Sequence, residues 1–170
     1  AYAHFGARGS GAWVRWAEEL AGDVLVLCAW TVSKAFAQYG ARVGALVAVH
    51  PEAGERKRLK NALSYSCRGT WSNCNHLGML AITELLDDPE LRRRSLEERD
   101  RLRAMLGERV AAFNAAAGAA GLTFPRYEGG FFVTVFTPDE EVTARTMRDM
   151  DVFVVPLSGA GRVALGAAPV

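Results

Sequence analysis

Apolar positions recur along this chain in two ways, at helical spacing and as short unbroken runs. Residues 12–21 place Trp13, Val14, Trp16, Ala17 and Leu20 at helical spacing, and Gly22-Asp23 ends the pattern. Residues 24–30 and 43–49 are continuous apolar runs, the second closed by His50-Pro51. Such runs bounded by turn signals predict strands buried on both faces, as in a mostly parallel sheet. Residues 52–62 are polar with helical propensity. Residues 67–75 read as a turn, with Gly69, Ser72, Asn73 and Asn75. A helix is expected from there to about residue 86.

Asp88-Pro89 then offers a capping side chain followed by proline at the first helical position. Ser95 and Glu98 form an alternative capping box. Leu102, Leu106, Val110 and Phe113 share one face of the long helix that follows, and Arg and Glu at helical spacings cover the other. After Gly118 the character changes. Gly129-Gly130 precedes an aromatic and β-branched stretch at 131–136. Thr137-Pro138-Asp139 opens a short helix to about 147, and residues 152–155 and 163–165 predict further strands. A boundary near 87–89 therefore divides the chain. Residues 1–87 read as an α/β piece, and residues 88–170 as a smaller α+β unit attached through the long helix.

Composition narrows the function more than the fold. Half of the 170 residues are hydrophobic, enough for a real core. The net charge of +1, from 20 Lys and Arg against 19 Asp and Glu, gives no electrostatic case for nucleic acid or an acidic membrane. The Arg92-Arg93-Arg94 run reads as a solvated helix face. Cys28, Cys67 and Cys74 fit no metal-ligand spacing, and no pattern joins His4, His50 and His76, so no metal is expected. Three thiols without a disulfide framework suggest a cytoplasmic protein. No apolar run reaches membrane-spanning length, and the N-terminus lacks the layout of a signal peptide. The first Met is Met79, and the last stretch reads as a strand and then a loop that stops, so the chain is expected to be a fragment.

Two residues stand out by their setting. Across residues 24–51 only Lys34 and Arg42 are formally charged, whereas Lys57 and Lys60 lie in a charged surface run. A desolvated lysine has a lowered pKa and can act as an amine nucleophile, forming imines with aldehydes. A guanidinium suits a phosphate group through paired donors, and Thr31 and Ser33 add hydroxyls nearby. The plainer reading is that Lys34 extends to solvent and Arg42 pairs with a surface carboxylate.

The order of motifs adds to this. Thr31-Val32-Ser33-Lys34, followed by Tyr39-Gly40-Ala41-Arg42-Val43-Gly44, resembles the Schiff-base segment of fold-type I, pyridoxal-phosphate-dependent aminotransferases of the aspartate/aromatic type. Ala1-Tyr2 with Phe5 resembles a segment upstream of that lysine. Arg68-Gly69-Thr70-Trp71-Ser72-Asn73 resembles the segment whose arginine binds a substrate's side-chain carboxylate. Gly161-Arg162-Val163 resembles the one whose arginine clamps the α-carboxylate. Phe132, after Gly129-Gly130, matches an aromatic that lines the substrate pocket, although aromatic periodicity alone makes it core. Some relatives carry two prolines after the Ser-Asn pair. Here Cys74-Asn75 stands in that place.

The resemblance implies the C-terminal part of the pyridoxal-phosphate-dependent transferase fold. Residues 1–87 would end the large cofactor domain, with its mostly parallel sheet, and 88–170 would form the small one. It implies pyridoxal 5'-phosphate as cofactor, bonded by Lys34 as a Schiff base, with its phosphate held by Arg42 and Thr31 and its phenolic oxygen met by Tyr2; the Ser33 hydroxyl nearby is a further cofactor-binding candidate. It also implies amino acid and 2-oxo acid substrates held by Arg162, Arg68 and Phe132, a homodimer, and little activity from this piece alone. The same fold also serves as the effector domain of cofactor-sensing transcription regulators, which is the alternative.

Overall fold

The computed structural model describes residues 2–6 and 11–167, and the chain divides into two compact units. The first comprises Ala1–His4 and Arg8–Arg99, the second Phe5–Ala7 and Asp100–Val170. Ala1 of the upstream segment and the end of the final loop at 168–170 lie outside the described residues, as does the side chain of Trp13.

In the first unit, α1 (Ala12–Leu20) follows the helical spacing and buries Ala17. The two apolar runs form β1 (Val26–Thr31) and β2 (Gly44–Val49). They pair antiparallel, from Val26 opposite Val49 to Thr31 opposite Gly44, and no strand residue of either is buried. This corrects the expectation of a parallel sheet buried on both faces. A parallel return needs a crossover of a dozen or more residues, usually a helix. The connection at 32–43 holds only turns and a short 3-10 helix at Tyr39–Ala41, so the chain reverses as a hairpin. Among the described residues every strand pairing is antiparallel.

Helix α2 (Ala53–Thr70) runs further than its polar start suggested and takes in the first residues of the expected turn. The turn proper is short and includes Ser72 at φ 67°. Helix α3 (His76–Asp87) is capped by the Asn75 side chain, whose Oδ1 accepts from the Gly78 N–H at 3.2 Å. Helix α4 (Pro89–Ala119) starts where the Asp-Pro signal placed it, and the Asp88 carboxylate accepts from the Leu91 N–H at 2.8 Å. Ser95 and Glu98 lie inside this helix and cap nothing. The unit's small core is Val32, Val43 and Ile82, with Trp30, Phe36, Ala41 and Met79 packed against it.

The second unit builds β3 (Phe132–Phe136), α5 (Glu140–Arg148), β4 (Val155–Leu157) and β5 (Ala160–Ala164). The strands are ordered β3-β5-β4, all antiparallel. The last two strands fall later and earlier, respectively, than the apolar runs at 152–155 and 163–165 suggested. A two-residue turn at Ser158-Gly159, with Gly159 at φ 71°, sets their hairpin. Leu106 and Val110 of α4 pack with Phe5, Tyr127, Val133 and Leu165 to form the core, while Leu102 stays exposed. The fold is thus α/β, with mixed helices and, among the described residues, two small sheets.

Candidate functional site

The segment after β1 is pinned before it reaches Lys34. Val32 is fully buried, at 0% exposure, and its N–H donates to the Val43 carbonyl at 3.2 Å. Burying such a side chain contributes roughly 1.5–3 kcal/mol. The Thr31 hydroxyl lies 2.9 Å from the buried Ser33 hydroxyl, accepts from the Ser33 N–H at 3.2 Å and reaches the Val43 carbonyl at 3.3 Å. Lys34 follows, half-buried rather than sealed from water. Its Nζ sits 4.5 Å from the Tyr39 ring centroid and 5.8 Å from that of Tyr2. Contacts of this kind contribute about 0.5–1 kcal/mol at exposed sites.

Arg42 approaches the same ring, with its guanidinium carbon 5.6 Å from the Tyr39 centroid. Its Nη1 donates to the Tyr39 carbonyl at 2.9 Å. The backbone of Arg42 is left-handed, at φ 54° and ψ 42°, a conformation that costs a side-chain-bearing residue roughly 1–2 kcal/mol. Tyr2, Thr31, Ser33, Lys34 and Arg42 thus all lie in the first unit, and one ring orders the two cations. Tyr39 had stood out only as part of a motif. Its position between two lone cations was the available signal. Asn75 is marked in the sequence only as a turn residue and as part of the Cys74-Asn75 departure from the family pattern, yet its Nδ2 donates to the Ala41 carbonyl, 34 residues away in sequence, at 2.9 Å.

Arg42 also lines a concavity of about 500 Å³ with Cys67, Trp71, Asn73, Cys74 and Asn75. Arg68 lies in the last turn of α2 and donates to the Ser72 hydroxyl at 2.8 Å. It lines a wider groove of about 940 Å³, together with Arg56, Lys60, Leu46 and Trp71. Lys34 is among the lining residues of neither.

Arg162 and Phe132 belong to the second unit. Arg162 lies on the central strand β5, opposite Thr134 of β3 and Val155 of β4. Its guanidinium carbon stands 4.9 Å from the Phe132 ring centroid, and Phe132, at 39% exposure, is a surface residue rather than core. A guanidinium over a ring keeps its edge for paired donation, a geometry that suits a carboxylate.

Burial, aided by the Arg99 charge, lowers the His4 pKa from 6.5. Its ring meets that of Phe36 edge-on. The three cysteines are free, and among the described residues no three His, Cys, Asp or Glu side chains gather as a metal site. No described helix is long and apolar enough to cross a membrane.

The sequence matches the family aminotransferase class I and II over residues 1–169. Among solved structures, the chain is similar to an aminotransferase from Anaerococcus prevotii at 29% identity. The TM-score there is 0.80, over 85% of this chain and 35% of that one. It shares its fold with an aspartate aminotransferase from Trypanosoma cruzi, at 20% identity and a TM-score of 0.76, over 99% of this chain and 43% of that one. It also shares it with an aromatic amino acid aminotransferase from Psychrobacter sp. B6 cocrystallised with aspartic acid, at 20% identity and a TM-score of 0.76, over 99% of this chain and 42% of that one. The chain spans less than half the length of each of these proteins. No curated protein matches it.

Proposed function

The chain belongs to the aminotransferase class I and II family, and on that premise we propose that it carries the cofactor lysine and part of the substrate site of a transaminase. The enzyme would use pyridoxal 5'-phosphate to move an amino group between an amino acid and a 2-oxo acid. In this reading residues 1–87 are the C-terminal part of a large cofactor domain and residues 88–170 a small domain with its connecting helix. A second copy of the protein would complete the assembly.

The observation that carries the reading is the placement of Lys34 and Arg42 at 4.5 and 5.6 Å from one Tyr39 ring, beside the Thr31 and Ser33 hydroxyls. This donor set fits the cofactor: an amine for its aldehyde carbon, a guanidinium and two hydroxyls for its phosphate. When bound, the cofactor supplies an electron sink for charge developing at the substrate's α-carbon. Lys34 would hold the aldehyde carbon, and its amine would move the proton at that α-carbon. Arg42, Thr31 and Ser33 would anchor the phosphate and so fix orientation. The Tyr2 hydroxyl would donate to the phenolic oxygen. Arg162 would bind the substrate α-carboxylate over Phe132, and Arg68 a second carboxylate, as in aspartate, glutamate or 2-oxoglutarate.

The test is chemical trapping. The protein is incubated with pyridoxal 5'-phosphate, reduced with borohydride, digested and mapped by mass spectrometry. We expect the pyridoxyl label on Lys34 and its loss in Lys34→Ala. A folded protein labelled at Lys57 or Lys60 instead, or not at all, would overturn the reading. Bleaching of the visible cofactor band by aspartate or by phenylalanine would then name the amino donor.

A further inference from the structure

We infer that Asn75 is a positioning residue for the phosphate end of the cofactor, acting by holding Arg42 in its left-handed conformation. The inference rests on the cofactor reading above. A residue with a side chain stays at φ 54° only where its surroundings over-determine it, and Arg42 is pinned on both flanks. On the C-terminal flank, Val43 is buried and its carbonyl accepts from the Val32 N–H and the Thr31 hydroxyl. On the N-terminal flank, the tie is Asn75.

That tie uses both ends of one amide. Asn75 Nδ2 donates to the Ala41 carbonyl at 2.9 Å, and Asn75 Oδ1 accepts from the Gly78 N–H as the cap of α3. The loop that presents Arg42 is therefore fastened to the start of a helix. Packing reinforces the seam. A Cβ placed on Gly78 would lie 2.7 Å from the Val43 Cγ2 and 3.0 Å from Asn75 Nδ2, so the helix start and the loop meet with no room for a further atom. Met79 of the same helix turn and Ala41 both pack on the Val32, Val43 and Ile82 cluster. Asn75 also lines the concavity that Arg42 lines. Only a side chain with both a donor and an acceptor can make both bonds.

The discriminating variant is Asn75→Ser, because serine still caps a helix but is too short to reach Ala41. The readout is affinity for pyridoxal 5'-phosphate compared with pyridoxal, which has the same aldehyde and ring but no phosphate. We expect Asn75→Ser to weaken the phosphate form roughly tenfold, the worth of about one hydrogen bond, and to leave pyridoxal binding unchanged. Arg42→Ala, measured alongside, should lose most of the preference for the phosphate form, the Thr31 and Ser33 hydroxyls remaining. If Arg42→Ala keeps that preference, the assignment of Arg42 itself falls. If Arg42→Ala loses it and Asn75→Ser keeps it, the role of Asn75 is overturned while the cofactor reading stands. Equal weakening toward both aldehydes in Asn75→Ser would reduce Asn75 to a structural residue and also overturn the inference. Should Asn75→Ser not fold, Asn75→Thr, which also caps, takes its place with the same outcomes.

Discussion

The two units obtain their order differently. In the second, Phe5, Leu106, Val110, Tyr127, Val133 and Leu165 form one buried cluster, and the sheet buries Val133, Ala160 and Gly161. In the first, the cluster is Val32, Val43 and Ile82, and the β1–β2 hairpin leaves Leu27, Leu46 and Val47 exposed. What holds its candidate site is largely polar: Thr31 to Ser33, Arg42 to Tyr39, Asn75 to Ala41. Non-directional burial can stabilise a unit, but placing an amine and a guanidinium beside one ring takes directional bonds. The residues with candidate chemistry on the first unit accordingly sit where polar ties are dense.

The comparison can be broken most forcefully in the second unit. Leu106→Ala should cost about 2–5 kcal/mol, read as a lowered denaturant midpoint, and Ile82→Ala in the smaller cluster should fall at the low end of that range. Equal or reversed losses would show that the first unit leans on burial as heavily as the second. A smaller effect tests a directional bond: Asp88→Ala removes the acceptor for the Leu91 N–H and should cost about 1 kcal/mol. An unchanged midpoint would mean that Pro89 alone sets the helix start.

The smallest effect is one of pH. The folded His4 has its pKa lowered from 6.5, first by burial and then by Arg99. An unfolded chain takes up a proton near pH 6.5, whereas the folded one does so only at lower pH. Stability should therefore be at its full value above pH 6.5 and fall as pH drops toward the lowered folded value. His4→Gln should flatten that slope in denaturant midpoints taken above and below pH 6.5, and an unaltered slope would assign it to other groups.

The helices were largely legible in the sequence because their signals are local. The Asp88-Pro89 start needed only two residues, and the Leu106 and Val110 spacing needed one turn. Strand direction was not legible, since an apolar run such as 24–30 has no mark that separates a parallel from an antiparallel neighbour. The content of the connection at 32–43, turns and a short 3-10 helix in place of a crossover helix, decided it. Lys34 and Arg42 could be singled out as lone charges in an apolar stretch. Their common neighbour Tyr39, and the bond from Asn75 to Ala41, depend on how the chain returns on itself, which spacing alone does not specify.

The hairpin has a kinetic consequence. Thr31, Ser33, Lys34, Tyr39 and Arg42 all lie on the connection at 32–43 or at the end of the strand that leads into it. Loops of about ten residues close in roughly 10–100 ns and hairpins form in about 1–10 μs. The amine, the guanidinium and the hydroxyls can meet at that pace, before any long-range contact has formed. The arrival of α3, bringing Asn75 across 34 residues, would then be the slower event that turns a fleeting cluster into a lasting one.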